Sequence, residues 1–412
     1  MPAWVRRAIN PILPVDRFTR RDRWIVFVVW SAGVVQGFAA SQASATLPFT
    51  RVGLGLSEGE MSFLLGIARF GAFVAIPLGW IGDRSGRRRP LIWALALVLA
   101  GGSAAGLSVE AWHYGAAQAV LRGGTAAMSA LAIVLLAETV STPIRAYAIS
   151  FYGAAGSLGA GIGLMVLPLA ESGPDGWRIP HLLIGVGFLL LPFLLKQVPE
   201  SRLYLDAPRP ERQWQPLVSG TWSKRFWTIT AAGFLISAYV SVALAFSTTR
   251  MIDDLGLGAG QTVVVSLLGG TLGGLGFFVG GRLADSWGRK KTVILSMGLA
   301  LVGLVIYWTE SLPLLVTAVM ISSFGIFAYV PSAGSFRAEL FPTGLRATSN
   351  TAANNLSTLG SALGLMAGLV TIDRIGLSET ITVLAVGVVA AILLITRLPE
   401  TRGQDLTATA LG

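Results

Sequence analysis

The sequence predicts an all-α membrane protein: twelve transmembrane helices in two pseudo-symmetric six-helix bundles, with both termini cytoplasmic. Three observations carry this prediction. Apolar stretches of about 20 residues, the length that crosses a ~30 Å hydrocarbon core, recur along the whole chain. Of 412 residues, 53% are hydrophobic and only 13% charged, with a mean hydropathy of +0.68; soluble globular chains carry about 25% charged residues. Three short motifs return about 200 residues after their first occurrence, each at a helix end.

Taken in order, residues 1–23 form a basic, proline-broken leader without the apolar run and cleavage site of a signal peptide. The first half, 24–197, places helices near 24–47, 60–82, 90–107, 112–137, 147–171 and 179–197. A cytoplasmic linker rich in Pro, Arg and Trp covers 198–224. The second half, 225–396, places helices near 225–250, 260–284, 292–309, 313–336, 347–371 and 379–396. Residues 397–412 are a cytoplasmic tail. Glycine is abundant, at 50 residues, as close helix packing in lipid requires. The row Gly153, Gly156, Gly159, Gly163 and its echo Gly360, Gly364 read as packing faces.

The net charge of +10 invites a nucleic-acid reading, but its distribution follows topology. With the N-terminus inside, all but six of the 31 Lys and Arg lie on the cytoplasmic side, which is the bias that sets membrane orientation. Arg51, Arg178, Arg250 and Arg374 lie outside, and Arg69 and Arg122 lie within helices. No nucleic-acid partner is expected. The chain has no cysteine and only two distant histidines, His113 and His181, so no metal site is expected. No phosphate loop, nucleotide motif or nucleophile–base set is present. The chain reads as no enzyme and as needing no cofactor.

The repeat is specific. Gly79-Trp-Ile-Gly-Asp83-Arg84-Ser-Gly86-Arg87-Arg88-Arg89 returns as Gly281-Arg-Leu-Ala-Asp285-Ser-Trp-Gly288-Arg289-Lys290-Lys291, 202 residues on. Glu138 and Arg145 return 201 residues on as Glu339 and Arg346, and Pro199-Glu200-Ser-Arg202 returns as Pro399-Glu400-Thr-Arg402. Parallel repeats of this kind build transporters whose binding site lies between the halves near mid-bilayer. The Gly-x-x-x-Asp-Arg-x-Gly-Arg-Arg run resembles the signature loop of the major facilitator superfamily. The Glu339–Thr348 run and the Pro399–Gly403 tail resemble its sugar-porter-like branch, which includes organic-acid and organic-cation carriers. The resemblance covers essentially the whole chain. It implies a cytoplasmic charge-relay clamp of Asp83, Arg84, Gly86, Arg87, Glu138, Arg145, Glu200 and Arg202, echoed by Asp285, Gly288, Arg289, Glu339, Arg346 and Glu400. Such a clamp locks the cytoplasmic side in the outward-open state and breaks on rocking.

None of the 21 Asp and Glu falls in the middle of a span. The first helix offers Gln36, Ser41 and Gln42 where proton-coupled relatives commonly carry an acid, so symport through a mid-membrane carboxylate is not expected. The deep charges are cationic. Counted from the cytoplasmic helix end, Arg69 lies ~18 Å in and Arg122 ~22 Å in, too deep to reach the surface easily. With no acid at that depth, the expected partner is a substrate anion gripped by guanidinium; bonds to backbone carbonyls or water are the plainer account. Neither arginine has a counterpart in the second half, where Thr271 and Ser323 stand. Gln36, Tyr239, Ser323, Tyr329 and Asn354 complete the candidate substrate contacts, since polar groups in lipid must turn inward.

These readings together predict a secondary active transporter of a small organic solute, an organic anion, working in the cytoplasmic membrane by alternating access. A sugar-type carrier and a multidrug exporter are the alternatives. The expected chain acts as a monomer, with a co-transported proton or other ion as candidate energy source.

Overall fold

The computed structural model describes residues 19–140, 145–200, 218–341 and 343–402. Among them twelve helices are long and apolar enough to cross a membrane. In the first half these are α1 (Arg20–Ala45), α2 (Glu58–Gly79), α3 (Arg88–Gly106), α4 (Ala111–Leu136), α5 (Phe151–Glu171) and α6 (Arg178–Gln197). The second half supplies α7 (Ser223–Asp254), α8 (Ala259–Ala284), α9 (Arg289–Trp308), α10 (Leu312–Arg337), α11 (Ala352–Ile375) and α12 (Leu377–Thr396). The ends agree with the sequence reading to within a few residues.

Several interruptions were not in that reading, two of them near the deep arginines and the distal end. Helix α1 stops at Ala45, and a separate short helix, Leu47–Gly53, starts with Pro48 in its first turn, where the missing N–H is harmless. Within α2, a 3₁₀ stretch of Arg69–Val74 replaces the α-turns. The glycine Gly71 lies there, and a Cβ on it would land on the Ala119 carbonyl of α4. Residue 271, its counterpart region in α8, stays regular.

Inside each half α1 packs on α5 and α7 on α11, while α3 packs on α4 and α9 on α10. Across the halves α2 packs on α11, α8 on α5 and α1 on α7. One buried apolar cluster runs through the second half and takes in Ala43, Leu47, Met61, Leu65, Tyr114 and Trp177 of the first, all at the end far from the termini. A second cluster, around Val28, Leu95, Leu99 and Leu135, belongs to the first half alone. Among the described residues the buried contacts between the halves thus lie at the end distal to the termini, and the terminal end is the separated one.

The glycine row divides. A Cβ at Gly159 would fall on the Val34 carbonyl and one at Gly360 on the Phe234 carbonyl, so these are contact points. Gly153 has nothing within 4 Å. We expect Gly159→Ala and Gly360→Ala to destabilise the detergent-solubilised protein by about 1–3 kcal/mol, and Gly153→Ala to be neutral or slightly stabilising, as read by thermal melting.

Candidate functional site

Helix α4 carries a polar stripe at helical spacing: Tyr114, Gln118, Arg122, Thr125 and Ser129. Gln36 of α1 closes on its lower part, donating from Nε2 to the Thr125 carbonyl at 3.0 Å and to Ser129 Oγ at 2.8 Å. The Tyr152 hydroxyl of α5 donates to Gln36 Oε1. The Gln36 amide therefore ties α1, α4 and α5 together, and its burial is matched by partners. At the distal end of the stripe the Tyr114 hydroxyl lies 3.5 Å from His181 Nε2, in an edge-on cluster with Trp177.

Arg69 and Arg122 behave differently. Both are half-buried. Among the described residues neither guanidinium has a carboxylate or carbonyl partner, and Arg69 Nε is sealed from solvent without an acceptor. Arg69 continues the α2 face on which Ser62 donates to the Leu365 carbonyl of α11 at 2.6 Å and Gly66 abuts Met366. That face points at the second half. Both deep cations are therefore unanswered among the described residues.

Tyr239 is buried, its hydroxyl donating to the Ala300 carbonyl at 3.4 Å. Ser323 lies against Gly269 and Gly273 of α8. Tyr329 flanks the large apolar cluster, and Asn354 is exposed.

Beyond the stripe, the distal end is latched across the halves. Arg51 Nη2 meets Asp253 Oδ2 at 2.8 Å, residues 202 apart. The Asp373 carboxylate at the end of α11 accepts from Ser57 Oγ at 2.6 Å and from Gly59 N at 2.9 Å, capping α2. Glu171 at the end of α5 accepts from Ala259 N at 2.6 Å, capping α8. Glu171 and Asp373 are again 202 residues apart.

The terminal end repeats the chemistry within each half. Glu200 accepts from Arg87 N at 2.6 Å and Arg88 N at 3.2 Å. Glu400 accepts from Arg289 N at 2.8 Å and Lys290 N at 3.3 Å. Each carboxylate thus sits on the first turn of α3 or α9, where free N–H groups and the helix dipole favour an anion. Gly86 and Gly288 precede these turns at φ 99° and 132°, and a Cβ would lie 2.5 Å from the Glu200 carboxyl and 2.7 Å from that of Glu400. Arg289 Nε also meets Glu339 Oε2 at 3.0 Å. The side chains of Asp83, Arg84, Glu138, Arg145, Arg202, Asp285 and Arg346 lie outside the described residues. Among the described residues, hydrogen bonds between the halves occur at the distal end and not at the terminal end.

The Major Facilitator Superfamily profile matches residues 29–365, with a second match over 251–410. The chain belongs to this superfamily. It is 25% identical over 401 residues to a probable 4-methylmuconolactone transporter of Cupriavidus pinatubonensis, covering 93% of this chain and 91% of that one. A galactose-proton symporter of Escherichia coli is 26% identical over 196 residues, 45% of this chain and 42% of the other. Among solved structures, a D-xylose-proton symporter superposes with a TM-score of 0.74 at 20% identity, covering 93% of this chain and 99% of its own. An inward-facing, unoccupied bacterial homologue of the human lysosomal transporter Spinster gives 0.73 at 14% identity, covering 92% and 96%.

This member of the superfamily is a multi-pass membrane transporter of a small molecule, not an enzyme. Sequence reasoning had singled out the terminal-end carboxylates but missed the distal latch. The signal was available, since the 202-residue offset of the Asp83 and Asp285 motifs also links Arg51 with Asp253 and Glu171 with Asp373.

Burial opposes the Glu400 charge, but the backbone N–H groups of Arg402, Lys290, Arg289 and Thr401 outweigh it and hold this carboxyl below the usual carboxylate range. Glu400→Gln should therefore lower stability at pH 7 by roughly 0.5–1 kcal/mol once solvent screening is counted. A lowered folded-state pKa gives stabilisation that is complete above the ordinary value of 4.5 and is lost as pH falls through the folded-state value. Melting curves of wild type and variant should separate at pH 7 and converge in acid.

Proposed function

We propose that this transporter carries small organic anions across the cytoplasmic membrane by alternating access, with Arg122 and Arg69 holding the substrate carboxylate. The carrying observation is that both deep guanidinium groups lack a carboxylate or carbonyl partner among the described residues. One arginine at the centre of a bilayer costs at least ~2.5–3.5 kcal/mol, and a second beside it adds repulsion. A carboxylate between them offsets both, and it binds guanidinium through paired, charge-assisted hydrogen bonds. The likeness to a probable 4-methylmuconolactone transporter supports the reading, because that lactone bears a carboxylate.

The Lys and Arg bias puts both termini in the cytoplasm, so the separated end faces inward and the latched end faces outward. Alternating access then exchanges the outer carboxylate caps of Glu171 and Asp373 for contacts at the terminal end. Energy comes from a co-transported proton or other ion. One chain supplies both halves of the site and acts as a monomer.

A second reading is a sugar carrier, supported by the partial likeness to the galactose-proton symporter. Uptake into proteoliposomes separates the two. Wild type should accumulate 4-methylmuconolactone and leave D-galactose outside. Arg122→Gln should weaken lactone transport by about 100-fold, the loss of one charge-assisted pair, and Arg69→Gln by about tenfold. Galactose uptake that survives both substitutions would instead establish the sugar reading.

The outer latch gives a second test. Asp373→Ala leaves α2 without its cross-half cap and should shift the resting population toward an outward-open form. Spin labels on one introduced cysteine per half at the distal end report this as a longer distance, with no background because the native chain has no cysteine. An unchanged distance would remove the latch from the mechanism.

A further inference from the structure

One buried group on the α4 stripe has no structural employment. Gln118 lies one turn distal to Arg122 and is only 1% exposed, yet both its Oε1 and its Nε2 lack a hydrogen-bond partner. The Tyr114 hydroxyl is the neighbouring polar group, close enough to interact with this amide and also 3.5 Å from His181 Nε2, yet it brings neither end of Gln118 within hydrogen-bond geometry. The contrast with Gln36 is direct. That amide, on the facing helix, has both ends engaged. A buried amide with neither end satisfied is costly compared with a leucine of the same size, so its retention beside the two arginines points to a ligand that completes it.

Geometry limits that ligand. Gln118 and Arg122 are four residues apart on one helix, hence on one face and ~6 Å apart along the axis. We propose that Gln118 is the second polar contact of the solute, selecting small carboxylates that carry a carbonyl or hydroxyl group about one helical turn from the carboxylate. An amide serves both groups, because its Nε2 donates to a carbonyl and its Oε1 accepts from a hydroxyl. A plain fatty acid of the same length satisfies Arg122 and leaves Gln118 bare. Substrate selection of this kind is strong, since rejecting the wrong solute follows from an unpaired group in the site. The inference rests on the anion reading of Arg122.

The matched probes are 4-oxopentanoate and pentanoate, which differ by one carbonyl at the required separation. Binding to the purified full-length protein is measured by calorimetry for wild type, Gln118→Met, Gln118→Leu and Arg122→Gln. Wild type should bind 4-oxopentanoate about tenfold more tightly than pentanoate, the value of one good hydrogen bond. Both Gln118 variants should lose that preference while keeping pentanoate affinity within about twofold, which also shows that they are folded. A preference that persists in the two variants, or that is absent from wild type, overturns the role of Gln118 and leaves the anion site standing. If pentanoate binds Arg122→Gln as well as wild type, or binds neither, the anion reading falls and this inference falls with it.

Discussion

A carboxylate resting on the open first turn of a helix is the interaction on which this architecture turns. Lipid offers no hydrophobic force to hold one helix against another, so the ends of the bundle need polar contacts. Free N–H groups at helix starts are a fixed supply of positive potential there. Among the described residues four such caps come from carboxylates distant in the chain. Glu200 and Glu400 close α3 and α9 within their own halves, and Asp373 and Glu171 close α2 and α8 across the halves. The first pair makes each bundle rigid. The second pair joins the halves at the distal end.

The deep arginines invert this logic. Every well-placed carboxylate lies at a membrane surface, so Arg69 and Arg122 have none to meet, and the 3₁₀ segment beginning at Arg69 brings α2 hard against α4 beside them. Among the described residues the carboxylate caps lie at the two ends, while the deep arginines have no such partner. A carrier needs that division, because a site already satisfied by the protein has nothing to offer a solute, and a surface left unsatisfied would not hold its shape.

Much of this was legible in the sequence for simple reasons. Spans are written in runs of apolar residues, and the duplication is written in motifs that do not depend on the fold. Arg69 and Arg122 stood out because a charge amid apolar residues needs no structure to be noticed. The break at Pro48 and the 3₁₀ segment escaped, since each depends on how neighbouring helices meet. Gln118 escaped for a related reason: Gln36 and Gln118 look alike in sequence, and only the partners of one and the bareness of the other tell them apart. The bond between Ser57 and Asp373 joins residues 316 apart, a distance over which hydrophobic pattern carries no information.

The Arg51–Asp253 pair joins two positions that the repeat makes equivalent, and so it sits on the axis relating the halves. Two identical six-helix copies around that axis would place each such residue opposite itself, arginine against arginine or aspartate against aspartate, and drive the outer end apart. Opposite charges can meet there only when both copies lie on one polypeptide and are free to accumulate different substitutions. Fusion of the halves thus made available a bond that a symmetric dimer of the ancestral unit could not form.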